Sequence, residues 1–259
     1  MKPSAEIEFL IKSSSVSDTK NWKVEILNSI PKIKYWDWLF KCAVNNSVAP
    51  IMFYNLQKFG VIINCPSEFR EKLNITYKTE VLRKLKIRGV FIEISQKLYL
   101  SNIMIMPLKG ILLQRELYAE PTLRPMFDID MLIRENDSEK AYKLLLETGC
   151  KETVYSESRF IDSLKHHYPP LFYKGISVEL HRSLVDAYDP IQINLNDFWE
   201  TSFLSEIEGI KVFKPENCHS LIYLCHHVYS SQKGGSVKLI WYCDIYFFLI
   251  KFGTYYVQN

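Results

Sequence analysis

The chain has 259 residues, 47% of them apolar and 24% charged. This is ordinary globular usage and excludes a disordered or fibrous protein. The 32 Lys and Arg against 29 Asp and Glu leave a net charge of +3, too small an excess for a nucleic-acid coat or an anionic membrane partner.

Nine Gly and 11 Pro favour helix over a turn-rich β sandwich. The six cysteines, Cys42, Cys65, Cys150, Cys218, Cys225 and Cys243, form no CxxC pair and read as reduced thiols. Glu6 falls where a secretory leader needs apolar residues, and the greasiest segment, 239–252, is broken by Asp244 and Lys251. A cytoplasmic protein with no membrane partner is therefore expected.

In chain order, residues 5–12, 36–45 and 67–100 carry apolar positions three and four apart, which predicts helices. Pro66-Ser67 opens the longest, whose stripe reads Leu73, Tyr77, Val81, Leu82, Leu85, Val90, Ile94 and Leu98. Residues 1–100 are thus read as an N-terminal helical region. Ile103 to Leu108 is a short apolar run with the look of a buried strand, followed by Lys109-Gly110 and a helix from Ile111 to Tyr118. A loop bracketed by Pro121 and Pro125 leads into a second strand, Met126 to Ile133. Asp137 or Ser138 then caps a helix that stops at Gly149. Leu171–Tyr173 and Ile176–His181 flank the two-residue turn Lys174-Gly175 and predict an antiparallel hairpin. Residues 101–212 form an α/β core on this reading, and 213–259 a C-terminal helical region.

Chemistry concentrates at Phe127-Asp128-Ile129-Asp130-Met131-Leu132-Ile133. On a strand the two carboxylates share a face, roughly 7 Å apart. Two such groups repel each other unless a cation lies between them, and oxygen donors favour Mg²⁺ or Mn²⁺. A strand followed by Lys109-Gly110 and a helix suits a phosphate, because glycine allows close approach and lysine adds charge. Arg124, four residues before Asp128, could fork onto phosphate oxygens. Glu179 shares the polar face of the hairpin strand with Ser177 and His181 and could supply a third carboxylate. His219, Cys225, His226 and His227 read as helix packing rather than a zinc site. Asp244, a carboxylate in an apolar helix, needs a partner, with Lys238 or a bound substrate as candidates.

The order Leu108-Lys109-Gly110, Tyr118, Arg124-x-x-x-Asp128-Ile129-Asp130, Glu179-Leu180-His181 resembles a bacterial family of uncharacterised nucleotidyltransferases in the DNA polymerase β-like superfamily. Asp37-Trp38, Val48-Ala49-Pro50, Pro215-Glu216, His226-His227 and Leu239-Ile240-Trp241-x-x-Asp244-Ile245 extend the likeness across most of the chain. Relatives tend to continue past the Asp244 region, so residue 259 is not read as a domain end. The resemblance implies an α+β fold, with a small mixed or antiparallel sheet and helices flanked by N- and C-terminal helical regions. It also implies metal-dependent transfer of a nucleoside monophosphate from an NTP to an acceptor hydroxyl, releasing pyrophosphate. Asp128, Asp130 and Glu179 would hold Mg²⁺ or Mn²⁺, and Lys109, Gly110 and Arg124 the nucleotide phosphates. The acceptor stays open among a small molecule, a protein hydroxyl and an RNA end, with no strong nucleic-acid-binding signal. The alternative is a degenerate member that binds nucleotide or a partner protein.

Overall fold

Six helices, one of them shared with a second unit, supply most of one unit of the protein, whose computed structural model describes residues 4–15, 19–152 and 165–257. This unit comprises residues 1–84, 114–125 and 230–259. Its helices are α1 (Ala5–Ser14), α2 (Thr19–Ser29), α3 (Trp36–Asn45), α4 (Ala49–Lys58), the first half of α5 (Ser67–Leu100) and α10 (Leu239–Val257). Phe9, Leu39, Met52, Leu56 and Leu73 are fully buried in its core, and Trp36 stacks edgewise on Phe69 with ring centroids 4.8 Å apart. Local chemistry sets the helix ends. The Ser4 hydroxyl accepts from the Ile7 amide at the start of α1, and Asn46 accepts from the Leu239 and Ile240 amides that open α10.

The stripe expected on α5 needs a correction. Leu82 is 69% and Leu85 59% exposed, whereas Glu80, Lys84 and Ile87 are buried. At 100° per residue, positions 80, 84, 87, 91, 94 and 98 continue the face of Leu73, whereas Leu82 lies opposite it. The middle of the helix therefore buries charged side chains, and the leucines lie outside. Lys84 Nζ donates to Gln114 Oε1 at 2.6 Å. Nearby, the Arg124 guanidinium grips both oxygens of Asp244, at 2.8 and 3.0 Å, and the Tyr118 hydroxyl donates to Asp244 Oδ1 at 2.6 Å. Asp244 thus takes its partners from Arg124 and Tyr118, more than 100 residues earlier in the chain, and not from Lys238.

The second unit comprises residues 85–113 and 126–229. Its five-stranded mixed sheet runs β1 (Ile105–Pro107), β2 (Asp128–Ile133), β5 (Ile176–His181), β4 (Leu171–Tyr173), β3 (Lys151–Glu152). β2 and β5 are parallel and the other neighbours antiparallel. The predicted hairpin β4–β5 forms around Lys174 and Gly175, both at positive φ (50° and 75°), as a two-residue primed turn requires. One sheet face carries Ile129, Met131, Ile133, Val178 and Leu180. It shares a core with Phe91, Ile94 and Leu98 of α5 and with Ala141 and Leu145 of α7 (Glu135–Glu147). Helix α7 begins at Glu135, before the expected cap at Asp137 or Ser138, because the chain turns at Arg134 as soon as β2 ends. The opposite face carries Leu132 and Met106 against Phe198 and Trp199 of α8 (Leu195–Glu200) and Tyr223 of α9 (Asn217–Lys233). A second hairpin, β6 (Phe203–Ile207) and β7 (Ile210–Lys214), was not anticipated; its turn is Glu208-Gly209, again at positive φ. All six cysteines are free, and among the described residues no helix is long and apolar enough to cross a membrane.

Burial, followed by the repulsion of Arg124, pulls the Lys84 ammonium down to about 7. In the unfolded chain the same group titrates near ~10.4. Between those values the unfolded chain binds more protons, so this lysine makes stability rise from about pH 7 to pH 10 and carries its full burial penalty below pH 7. Lys84→Met is expected to raise the urea midpoint most at pH 6–7 and little at pH 10. A wild-type minus variant difference that does not change with pH contradicts this.

Candidate active site

The register of β2 on β5 sets Asp128 opposite Ser177, Asp130 opposite Glu179 and Leu132 opposite His181. Alternation along each strand then directs Asp128 and Asp130, and Glu179 and His181, to the sheet face that carries Leu132. Asp128 lies half-buried at the start of β2, whereas Asp130 is 5% exposed and His181 fully buried. His181 Nε2 lies 3.0 Å from Asp130 Oδ1 and 3.7 Å from Glu179 Oε2. Among the described residues, Asp130, Glu179 and His181 are the one group of three whose ligand atoms all lie within 4.8 Å of one another.

Lys109 enters from the end of β1. Its backbone takes the left-handed φ of 43°, strained for a residue with a side chain. The flanking amides fix the turn: Leu108 N–H donates to the Asp130 carbonyl at 3.0 Å, and Leu113 N–H to the Lys109 carbonyl at 2.8 Å. From there Nζ reaches Asp130 Oδ2 at 3.3 Å and lies 5.7 Å from the centre of the Tyr223 ring. Gly110, buried, is the first residue of α6 (Gly110–Glu116). Lys109 and Gly110 were expected beside phosphate oxygens; here the ammonium lies on a carboxylate of the Asp-x-Asp strand.

The charges settle accordingly. Burial opposes ionisation of Asp130, but Lys109 and then His181 outweigh it and hold the carboxyl well below its usual range. Burial, reinforced by the neighbouring Asp130 and Asp128 carboxylates, pushes Glu179 up to about 8. Burial brings the His181 imidazole down to about 4, so the ring is neutral. Burial also works against the Lys109 ammonium, yet the Asp130 carboxylate keeps it protonated above its usual range. Asp130 and Glu179, adjacent across the β2–β5 pair, thus oppose each other's ionisation. A divalent ion reverses that opposition by favouring both ionised forms. The donor set, two carboxylates and an imidazole with a third carboxylate two residues along, fits such an ion.

Other candidates lie elsewhere. Arg124 belongs to the first unit, where its guanidinium is committed to Asp244. His226 Nε2 meets Asp189 Oδ2 at 3.3 Å, and His219 Nδ1 meets Thr201 Oγ1 at 3.0 Å, so these two imidazoles have separate partners. Sequence reading placed His181 beside Glu179 on the polar face of the strand. Its two-residue spacing from Glu179 was the available signal for a shared site. It did not find Tyr223, or His166, whose ring lies 5.1 Å from that of His181 and whose Nδ1 pairs with Asp186 at 2.5 Å. No short-range pattern marks either residue.

The model of a family described as uncharacterised nucleotidyltransferase matches residues 34–255. A solved Thermotoga maritima structure, described as a candidate nucleotidyltransferase, aligns at 17% identity over 57% of this chain and 89% of its own, with a TM-score of 0.40. None of the curated proteins matches.

Removing the ammonium from the buried carboxylates is costly. Lys109→Met is expected to destabilise the fold by about 3 kcal/mol, the scale for breaking one side of a buried ion pair. The urea midpoint of the full chain measures it, and an unchanged midpoint would show that Lys109 is not the counter-ion.

Proposed function

Because the chain belongs to the uncharacterised nucleotidyltransferase family, we propose that it transfers a nucleoside monophosphate from an NTP to an acceptor hydroxyl, with Asp128, Asp130 and Glu179 as its divalent-ion site. The observation that carries this reading is the placement of Asp130 directly across the parallel β2–β5 pair from Glu179, with Asp128 on the same face. A bound divalent cation would supply Lewis-acid polarisation of the phosphate oxygens and a lowered pKa for the acceptor hydroxyl.

The remaining work falls to the chain. Asp130, paired with Lys109 and His181, provides a carboxylate that is ionised before substrate arrives. Glu179, across the β2–β5 pair from Asp130, would complete the ligand set of such an ion. Asp128, the more exposed carboxylate, stands at the open end of the strand, where a triphosphate can approach. Lys109 is mounted on the turn that begins α6. Rotation of its flexible stem moves the ammonium from Asp130 toward the phosphates, and Gly110 leaves the backbone there free of a side chain. In-line attack of the acceptor oxygen on the α-phosphorus forms the new P–O bond and breaks the bond to pyrophosphate. Catalysis is then mainly positioning and charge stabilisation. The acceptor is a hydroxyl compound whose class is open among small molecules, protein side chains and RNA ends.

The test is incorporation of α-³²P-labelled NTPs with Mg²⁺ or Mn²⁺, read together with pyrophosphate release across a panel of acceptors. Asp130→Asn and Glu179→Gln keep side-chain volume and are expected to lower transfer by more than about 100-fold. Either variant transferring at the wild-type rate overturns the assignment.

A further inference from the structure

His181 stands where the two acidic side chains meet, and its placement bears on which ion they take. Its ring is fully buried. Nδ1 has no hydrogen-bond partner among the described residues, so every polar contact recorded for the ring is made through Nε2. That nitrogen lies 3.0 Å from Asp130 Oδ1 and 3.7 Å from Glu179 Oε2. Neighbouring donors on a first-row ion, with bonds of about 2.1 Å, lie roughly 3 Å apart; Nε2 is at that spacing from Asp130, and ligand atoms of Asp130, Glu179 and His181 all lie within 4.8 Å of one another.

His166, 5.1 Å away and paired with Asp186, and His167, 5.6 Å away, pack around the imidazole and restrict its movement. The His167 backbone also bridges that of His181.

We propose that His181 is a direct Nε2 ligand of the divalent ion at Asp130 and Glu179, making the site selective for Mn²⁺ or another first-row transition ion over Mg²⁺. This rests on the metal-dependent transfer proposed above and adds the identity of the ion. The chemistry is that of donor softness. Mg²⁺ demands octahedral oxygen and gives up its waters reluctantly, whereas imidazole nitrogen suits the transition ions. Ligation through Nε2 places the ring proton on Nδ1.

The test uses the full chain and MnCl₂ alone, without nucleotide. Electron spin-echo modulation of bound Mn²⁺ should show coupling to an imidazole ¹⁴N that is replaced by a ¹⁵N pattern in protein labelled at histidine. The coupling should vanish in His181→Asn. Direct competition should show Mn²⁺ bound well ahead of Mg²⁺, with the preference falling by about tenfold in that variant. The wild-type spectrum requires no substitution at a buried position, so the proposal stays testable if His181→Asn does not fold.

Mn²⁺ that binds, is lost in Asp130→Asn, yet shows no imidazole coupling overturns nitrogen ligation and leaves nucleotidyl transfer standing. Coupling that survives in a folded His181→Asn assigns the nitrogen to another histidine and also overturns it. Absence of any Mn²⁺ binding sensitive to Asp130 and Glu179 overturns both readings.

Discussion

Two carboxyl groups placed side by side in the face of a sheet must be matched by positive charge, and the second unit of this protein is arranged around that requirement. The parallel pairing of β2 with β5 brings Asp130 and Glu179 into register. The strained turn at Lys109 and the buried ring of His181 then divide the two oxygens of Asp130 between them. The apolar side of the same strands, Ile129 and Met131 with Val178 and Leu180, is fully enclosed. That enclosure keeps the strands from slipping, because a shift of one residue would exchange carboxylates for core side chains. Stability of the sheet and placement of the candidate site are therefore one constraint.

The first unit contains an analogous problem solved differently. Asp244, 1% exposed, is met by the planar fork of Arg124 and by the Tyr118 hydroxyl. With its charge matched inside the protein, this carboxylate is tied to structure. Asp130 and Glu179 instead lie side by side, where the Asp130 carboxylate adds to burial in raising the pKa of Glu179. Asp130 and Asp244 are both buried acids, and their neighbours give them different chemistry.

Much of the sheet was legible because strand alternation is local. The second strand, expected over Met126–Ile133 and observed over Asp128–Ile133, and the Lys174-Gly175 turn follow from spacing and turn chemistry, whereas the α+β class came with the family resemblance. The spacing of Glu179 and His181 likewise placed both on one face. What could not be read is long-range. Nothing near Asp244 announces Arg124, 120 residues away, so each appeared as a separate functional candidate. The target of Lys109 is fixed by a backbone turn that composition does not reveal. Leu82 and Leu85 misled because hydrophobicity was followed at the expense of helical phase, which buries Glu80 and Lys84 in their place. In the β6–β7 hairpin Glu208-Gly209 is an ordinary turn signal, but the adjacent apolar residues Phe203 and Leu204, both exposed, break the alternation that marks a strand.

The most direct measurement is an anomalous-scattering map at the manganese edge, from crystals of the full chain grown with MnCl₂ and a non-hydrolysable NTP analogue. The account predicts a peak within bonding distance of carboxylate oxygens from both Asp130 and Glu179, beside the triphosphate. An ordered triphosphate whose manganese touches neither residue would contradict it.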